Sequence, residues 1–137
     1  MNRQLLIISH GYLAEHFLNA AKMIVGDISN AESICMTHDM GLDQTLEKIS
    51  DYFNIHKNEE ILVLADLFGG TPFNAAVVAK KDRQDIEIIT GVNLGMIIEY
   101  VTSQNLGLQE ISDHLKEVGR NGVQGQMYDF DDDEIDF

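Results

Sequence analysis

His10 has the surroundings of a nucleophile. It closes an apolar run, Leu5-Leu6-Ile7-Ile8-Ser9, and is followed at once by Gly11. A buried strand holds the backbone of the residue at its end, and a neighbouring glycine leaves room for close approach to the ring. An imidazole attacks through an unprotonated nitrogen. A carboxylate on the other nitrogen fixes the tautomer and offsets the charge that forms during attack. Asp66, at the end of a second apolar run, Ile61-Leu62-Val63-Leu64-Ala65, is the candidate for that carboxylate. Behind it stands Leu67-Phe68-Gly69-Gly70-Thr71-Pro72. Thr71 is a favourable N-cap and Pro72 a favourable first helical residue. The glycines allow backbone N–H groups to converge on an anion at the helix start. The chemistry this set points to is phosphoryl transfer. His10 is the acceptor, Asp66 orients it, and Gly69, Gly70 and Thr71 hold the phosphate through their amides and the Thr71 hydroxyl.

Other readings of the same residues are weaker. In a signalling receiver domain Asp66 would itself be the phosphoacceptor, and Thr90 falls where such domains keep a hydroxyl. But the first strand ends in Ser-His, without the acidic pair that would hold magnesium, and no lysine follows a fifth strand. Neither a Gly-x-Gly-x-x-Gly sequence nor a P-loop is present to bind a nucleotide. His38 stands at the end of another short run and would complete a metal site with His10 and Asp66, but the three lack the helical or hairpin spacing of such sites. No metal and no cofactor are expected. His16 and His114 lie beside helical apolar stripes and His56 in a polar loop, and all three read as solvated. Cys35, the single cysteine, reads as core filling.

These residues need a frame that places them on one edge. Strand-like runs at Leu5–Ser9, Ser33–Thr37, Glu60–Ala65 and Ile86–Thr90 alternate with helical patterns. The helical patterns are Leu13/Phe17/Ile24 ended by Gly26, then Leu42/Leu46/Ile49/Phe53, then Phe73–Ala79. Two further helices are predicted, over Leu94–Val101 and through Leu108, Ile111, Leu115 and Val118. The alternation predicts an α/β domain: a doubly wound, mainly parallel sheet of order 2-1-3-4 with helices on both faces. In such sheets ligands bind beyond the carboxyl ends of the strands. In that order the first and third strands are neighbours, so His10 and Asp66 meet.

The chain has 137 residues, 45% of them apolar, enough for one core without disulfides. A formal charge of −14 argues against nucleic acid and anionic membranes and for a basic protein partner. The first apolar run is too short for a signal peptide and no run is long enough for a membrane span, which predicts a cytoplasmic protein. We divide the chain into a domain over 1–128 and an acidic tail over 129–137, Asp129-Phe130-Asp131-Asp132-Asp133-Glu134-Ile135-Asp136-Phe137. The tail is expected to extend into solvent and tune encounter with partners.

Three segments resemble a known family: Ile8-Ser9-His10-Gly11, the block from Asp66 through Ala76, and Gly91-Val92-Asn93-Leu94. They are similar to the enzyme IIA component of the mannose family of the bacterial phosphoenolpyruvate:sugar phosphotransferase system, and the likeness extends to Gly119-Arg120-Asn121-Gly122-Val123. The resemblance implies a phosphotransferase that receives a phosphoryl group from phospho-HPr on His10. It passes the group to a histidine of the IIB component, and through that component its partner is the membrane IIC/IID permease. The resemblance implies Asp66 as the orienting carboxylate and Thr71 as a phosphate-contacting hydroxyl. It also implies a homodimer with an antiparallel edge strand exchanged between subunits, for which the segment from Gln126 to Phe130 is available. Gly95 departs from the family's usual proline, which predicts a looser start to the fourth helix. No linker and fused IIB domain follow, so a separate IIA polypeptide is expected.

Overall fold

The computed structural model describes residues 2–126. Its elements run β1 (Arg3–His10), α1 (Leu13–Val25), β2 (Ala31–Met36), α2 (Leu42–Ile55), β3 (Glu60–Ala65), α3 (Thr71–Lys80), β4 (Ile86–Ile89), α4 (Leu94–Thr102) and α5 (Leu108–Asn121). The four strands form one parallel sheet in the order β2-β1-β3-β4. This is the doubly wound frame that the alternation predicts.

The pleat divides the core into two layers. Leu5 and Ile7 of β1 pack with Leu62 and Leu64 of β3 against Ala14, Leu18 and Ala21 of α1, and against α4 and α5. Leu6 and Ile8 face the other way, with Ile61 and Val63, onto Ile49, Tyr52 and Phe53 of α2 and Ala75, Ala76 and Ala79 of α3. The alanines explain why α3 reads as a helix rich in small residues: they let its axis lie close against the sheet. Cys35 packs against the first layer, as core filling requires.

Boundaries differ from the periodicity by a residue or two, as strand ends do when pairing extends past the apolar run. β1 begins at Arg3 because Arg3 pairs with Glu60, and it reaches His10, which pairs with Met36. β2 begins at Ala31, opposite Leu5. α3 begins at Thr71, two residues before its apolar pattern. Gly95 lies in the first turn of α4, whose start the Asn93 side chain caps by accepting the Met96 N–H at 3.0 Å. Among the described residues no helix is long and apolar enough to cross a membrane. The acidic tail and the residues expected to form an exchanged edge strand, from 127 onward, lie outside the described residues.

Candidate active site

The carboxyl ends of β1 and β3 converge on one histidine and one carboxylate. Because side chains alternate across the sheet, His10 falls on the same side as Leu6 and Ile8, towards α3. Asp66 follows β3 directly, and its N–H bonds the Ile8 carbonyl at 3.2 Å, which extends the ladder by one rung. Its Oδ2 accepts two hydrogen bonds from His10, one from the backbone N–H and one from the ring Nδ1, each at 2.9 Å. One carboxylate oxygen therefore fixes both the backbone and the ring of the same residue. With Nδ1 donating to Asp66, the nitrogen that the neutral imidazole leaves unprotonated is Nε2. The His10 side chain is 43% exposed and that of Asp66 12%, so a partner reaches the ring while the carboxylate stays screened. The second oxygen, Oδ1, is buried with no hydrogen-bond partner among the described residues.

The glycines after Asp66 divide two tasks. Gly69 has φ +79, a left-handed conformation that a side chain would strain. Gly70 has an ordinary φ of −74, and its requirement is space: a Cβ there would lie 2.7 Å from His10 Cε1 and 3.4 Å from Nε2. The imidazole thus lies against the backbone at the start of α3. Gly11 has φ +56, also left-handed, and apart from its chain neighbours a Cβ there would meet nothing within 4 Å. Gly70 adds room at the ring from across the site.

The start of α3 also differs from the cap pattern. Gly70, in extended conformation, is the N-cap, and no side-chain oxygen caps the helix. The Asn74 N–H closes onto the Gly70 carbonyl at 2.9 Å, which places Thr71 in the first turn and Pro72 after it. Proline is tolerated there because its missing N–H is one of the donors a helix start leaves unpaired. Of the three amides expected to face an anion, that of Gly70 donates to the Leu67 carbonyl at 3.3 Å and belongs to the turn itself. Asn74 braces the loop by donating from Nδ2 to the Gly69 carbonyl at 3.0 Å. An amide side chain in the first turn of a small-residue helix is the sequence signal for that brace, which pattern reading passes over.

The structure brings His10 and Asp66 into direct contact and sets Gly70 beside the His10 ring, with Gly69 and Thr71 flanking Gly70 in the chain. His38 lies beyond the end of β2. Among the described residues no three His, Cys, Asp or Glu side chains gather in a metal-binding group. His56 is not solvated, contrary to its polar surroundings in the sequence. Its Nδ1 bonds Glu59 at 2.7 Å, and its ring lies on Tyr52 with centroids 4.5 Å apart. His114 lies 3.5 Å from Glu99.

Comparison with known proteins agrees with this fold. A family model described as the PTS system fructose IIA component, EIIA-man, matches residues 4–116. The PTS system sorbose-specific EIIA component of Lacticaseibacillus casei is 28% identical over 116 residues, which are 84% of each chain. The PTS system mannose-specific EIIAB component of Escherichia coli K12 is 30% identical over 126 residues, 90% of this chain, and the chain spans 39% of that relative's length. Among solved structures, the mannose/sorbose specific IIA subunit of the phosphotransferase system from Enterococcus faecalis superposes with a TM-score of 0.88 at 34% identity. The match covers 94% of this chain and 98% of that one.

Proposed function

Since the chain belongs to the EIIA-man family of sugar phosphotransferase system components, we propose that His10 is its phosphoryl acceptor and carrier, charged by phospho-HPr and discharged to a IIB component. The observation that carries this reading is the ring geometry. Asp66 Oδ2 binds Nδ1 at 2.9 Å, and Nε2 stands free beside Gly70, where α3 begins.

The step follows from those contacts. The Nε2 lone pair forms a bond to phosphorus as the bond from phosphorus to the donor histidine's nitrogen breaks. The donor imidazole leaves with that electron pair. The Nδ1 proton stays on His10, held by Asp66, whose charge offsets the cationic character of the phosphorylated ring. Transfer of this kind has a loose transition state and depends mainly on positioning and on charge stabilisation at the phosphoryl oxygens. The second role falls to the start of α3, where the helix dipole and the unpaired N–H groups of its first turn, with the Thr71 hydroxyl, favour negative charge. Onward transfer to a histidine of IIB, through which the chain serves a IIC/IID permease, is the reverse of the same step.

Tyr12, Leu67 and Phe68 are exposed in the loops that carry His10 and Asp66. Apolar surface beside a reactive group suits a protein partner, which covers it on docking. The charge of −14 favours a basic partner. We place this exchange in the cytoplasm, with the IIA as a homodimer whose edge strands are exchanged and whose acidic tail speeds encounter. Asp66 is the poorer acceptor, because its Oδ2 is engaged twice and its Oδ1 is buried. Incubation with phosphoenolpyruvate, enzyme I and HPr is expected to add one acid-labile phosphoryl group per chain, at His10. Label that survives in His10→Ala, or that resists acid and yields to hydroxylamine, would move the acceptor elsewhere.

A further inference from the structure

The residue before the proposed nucleophile is a fully buried serine whose hydroxyl is engaged on both sides. Ser9 has no exposed surface. It falls on the opposite face of β1 from His10, with Leu5 and Ile7, towards α1. Its Oγ accepts the Ala14 N–H at 2.7 Å and donates to the Gly11 carbonyl at 3.3 Å. Those contacts span the turn that links β1 to α1. Tyr12 occupies the N-cap position of α1 but supplies no side-chain cap. The N–H of the second helical residue is satisfied from Ser9 instead. Between the two contacts lies Gly11 in its left-handed conformation, its own N–H bonded to the Met36 carbonyl at 2.8 Å.

We propose that Ser9 is a positioning residue for His10: its hydroxyl ties the Gly11 carbonyl to the first turn of α1 and so holds the angle at which His10 meets Asp66. His10 has one backbone neighbour on each side. Ser9 is fixed by its place in β1, and Gly11 is the point at which the chain turns out of the strand. Glycine supplies the left-handed conformation but does not enforce it, because it populates several regions of φ and ψ with similar ease. The constraint must come from hydrogen bonds on the Gly11 peptide units, of which Met36 holds one and Ser9 the other. If the Ser9 contact is lost, the peptide between Gly11 and Tyr12 is free to rotate. The His10 N–H and Nδ1, both on Asp66 Oδ2, then no longer share one acceptor in one geometry. Nε2 loses its fixed direction towards the start of α3.

This inference rests on His10 being the phosphoryl acceptor. Its test includes a reading taken without any phosphodonor, so that the two ideas fail separately. The full-length chain is compared as wild type, Ser9→Ala, Ser9→Cys and Ser9→Thr. Alanine removes the hydroxyl, cysteine fills the space with a weak acceptor, and threonine keeps the hydroxyl. Phosphoryl transfer from phospho-HPr is measured at saturating and limiting donor and expressed per folded molecule. Ring nitrogen chemical shifts of His10 are recorded by NMR in the unphosphorylated protein. We expect Ser9→Ala and Ser9→Cys to lose roughly tenfold or more in rate at saturation, as loss of orientation does. The apparent KM for HPr is expected to stay unchanged, with a shift of the His10 tautomer equilibrium away from Nδ1–H and recovery of both readings in Ser9→Thr. Wild-type rates and shifts in Ser9→Cys would overturn the proposal. So would a rate loss in Ser9→Ala that disappears when corrected for the folded fraction while the His10 shifts stay at their wild-type values. If His10 proved not to be the acceptor, the shifts alone would still report whether Ser9 positions its ring.

Discussion

Two histidine–carboxylate pairs sit at opposite edges of the same sheet, and they differ less in their hydrogen bond than in everything around it. At the carboxyl edge His10 Nδ1 meets Asp66 Oδ2 at 2.9 Å, and at the amino edge His56 Nδ1 meets Glu59 Oε1 at 2.7 Å. The second pair is closed on every side the structure reveals. The His56 ring lies on Tyr52. Glu59 Oε2 accepts from Gln4 Nε2 at 2.7 Å. The carbonyls of His56 and Glu59 both accept from Arg83 Nη2, whose guanidinium also holds Asp85 and the Phe53 carbonyl. The His56 side chain is 18% exposed, against 43% for His10. At the carboxyl edge the opposite holds: Asp66 Oδ1 is buried without a partner among the described residues, and Nε2 stands beside a glycine at a helix start. A histidine–carboxylate hydrogen bond is therefore no signature of catalysis. What sets the proposed reactive pair apart from the enclosed one is an exposed ring whose second nitrogen lies beside a helix N-terminus.

The comparison breaks most sharply at the histidines themselves. His10→Ala is expected to reduce phosphorylation to background, whereas His56→Ala is expected to be labelled fully and to melt at a lower temperature. Mass spectrometry of the labelled proteins beside their thermal melts separates the two roles. Equal labelling of both variants would erase the distinction.

The next largest effect belongs to the carboxylate. Asp66→Asn keeps the shape but loses the charge that is proposed to stabilise the phosphorylated ring. Quench-flow measurement is expected to show transfer slowed roughly a hundredfold, with the fold unchanged by circular dichroism. Glu59→Gln should leave transfer untouched. A wild-type rate in Asp66→Asn would remove the carboxylate from the mechanism.

Gly70 sharpens the contrast from the steric side. Alanine suits its φ, so Gly70→Ala is expected to fold, yet the added Cβ must push the His10 ring from a position 2.7 Å away. Transfer should fall by about tenfold. Gly95→Ala meets only Asn93 Oδ1, at 3.4 Å, and serves as the silent control. Equal rates in the two variants would show that ring and loop yield together.

The smallest effect is a pH dependence confined to the amino edge. Hydrogen bonds from His56, then from Gln4, hold the Glu59 carboxyl below its ordinary value of 4.5. A carboxylate whose folded pKa is depressed stabilises the fold above its unfolded value, and that contribution is lost as pH falls through the folded value. Wild type is thus expected to lose slightly more stability than Glu59→Gln between about pH 4.5 and lower pH. Parallel urea midpoints across that range would exclude Glu59 as a contributor.

Much of this frame is legible along the chain. Apolar periodicity is a local property, and each element of the fold announces itself by it; Glu60–Ala65 is read to the residue. Strand–helix alternation with right-handed crossovers leaves few topologies open, and the order β2-β1-β3-β4 makes the ends of β1 and β3 neighbours. The likeness of the Asp66–Ala76 block to a family adds roles to positions. Other features depend on how distant segments meet. Gly70 is needed because the imidazole of His10 lies against it, and no spacing within the chain encodes that approach. Thr71 yields the N-cap to Gly70, since both alternatives satisfy the same Thr-Pro pattern and only the closure of Asn74 onto Gly70 decides between them. His56 reads as a polar loop residue until Gln4, from another strand, and Arg83, from beyond α3, close around it. The sequence by itself determined the elements, their order and the edge on which His10 and Asp66 meet, because hydrophobic burial acts through patterns of near neighbours. The tertiary structure decided which histidine is open, which distant glycine lies beside its ring and where the Ser9 hydroxyl lies. Those depend on strand register and pleat, which place side chains to within an ångström across tens of residues of intervening chain.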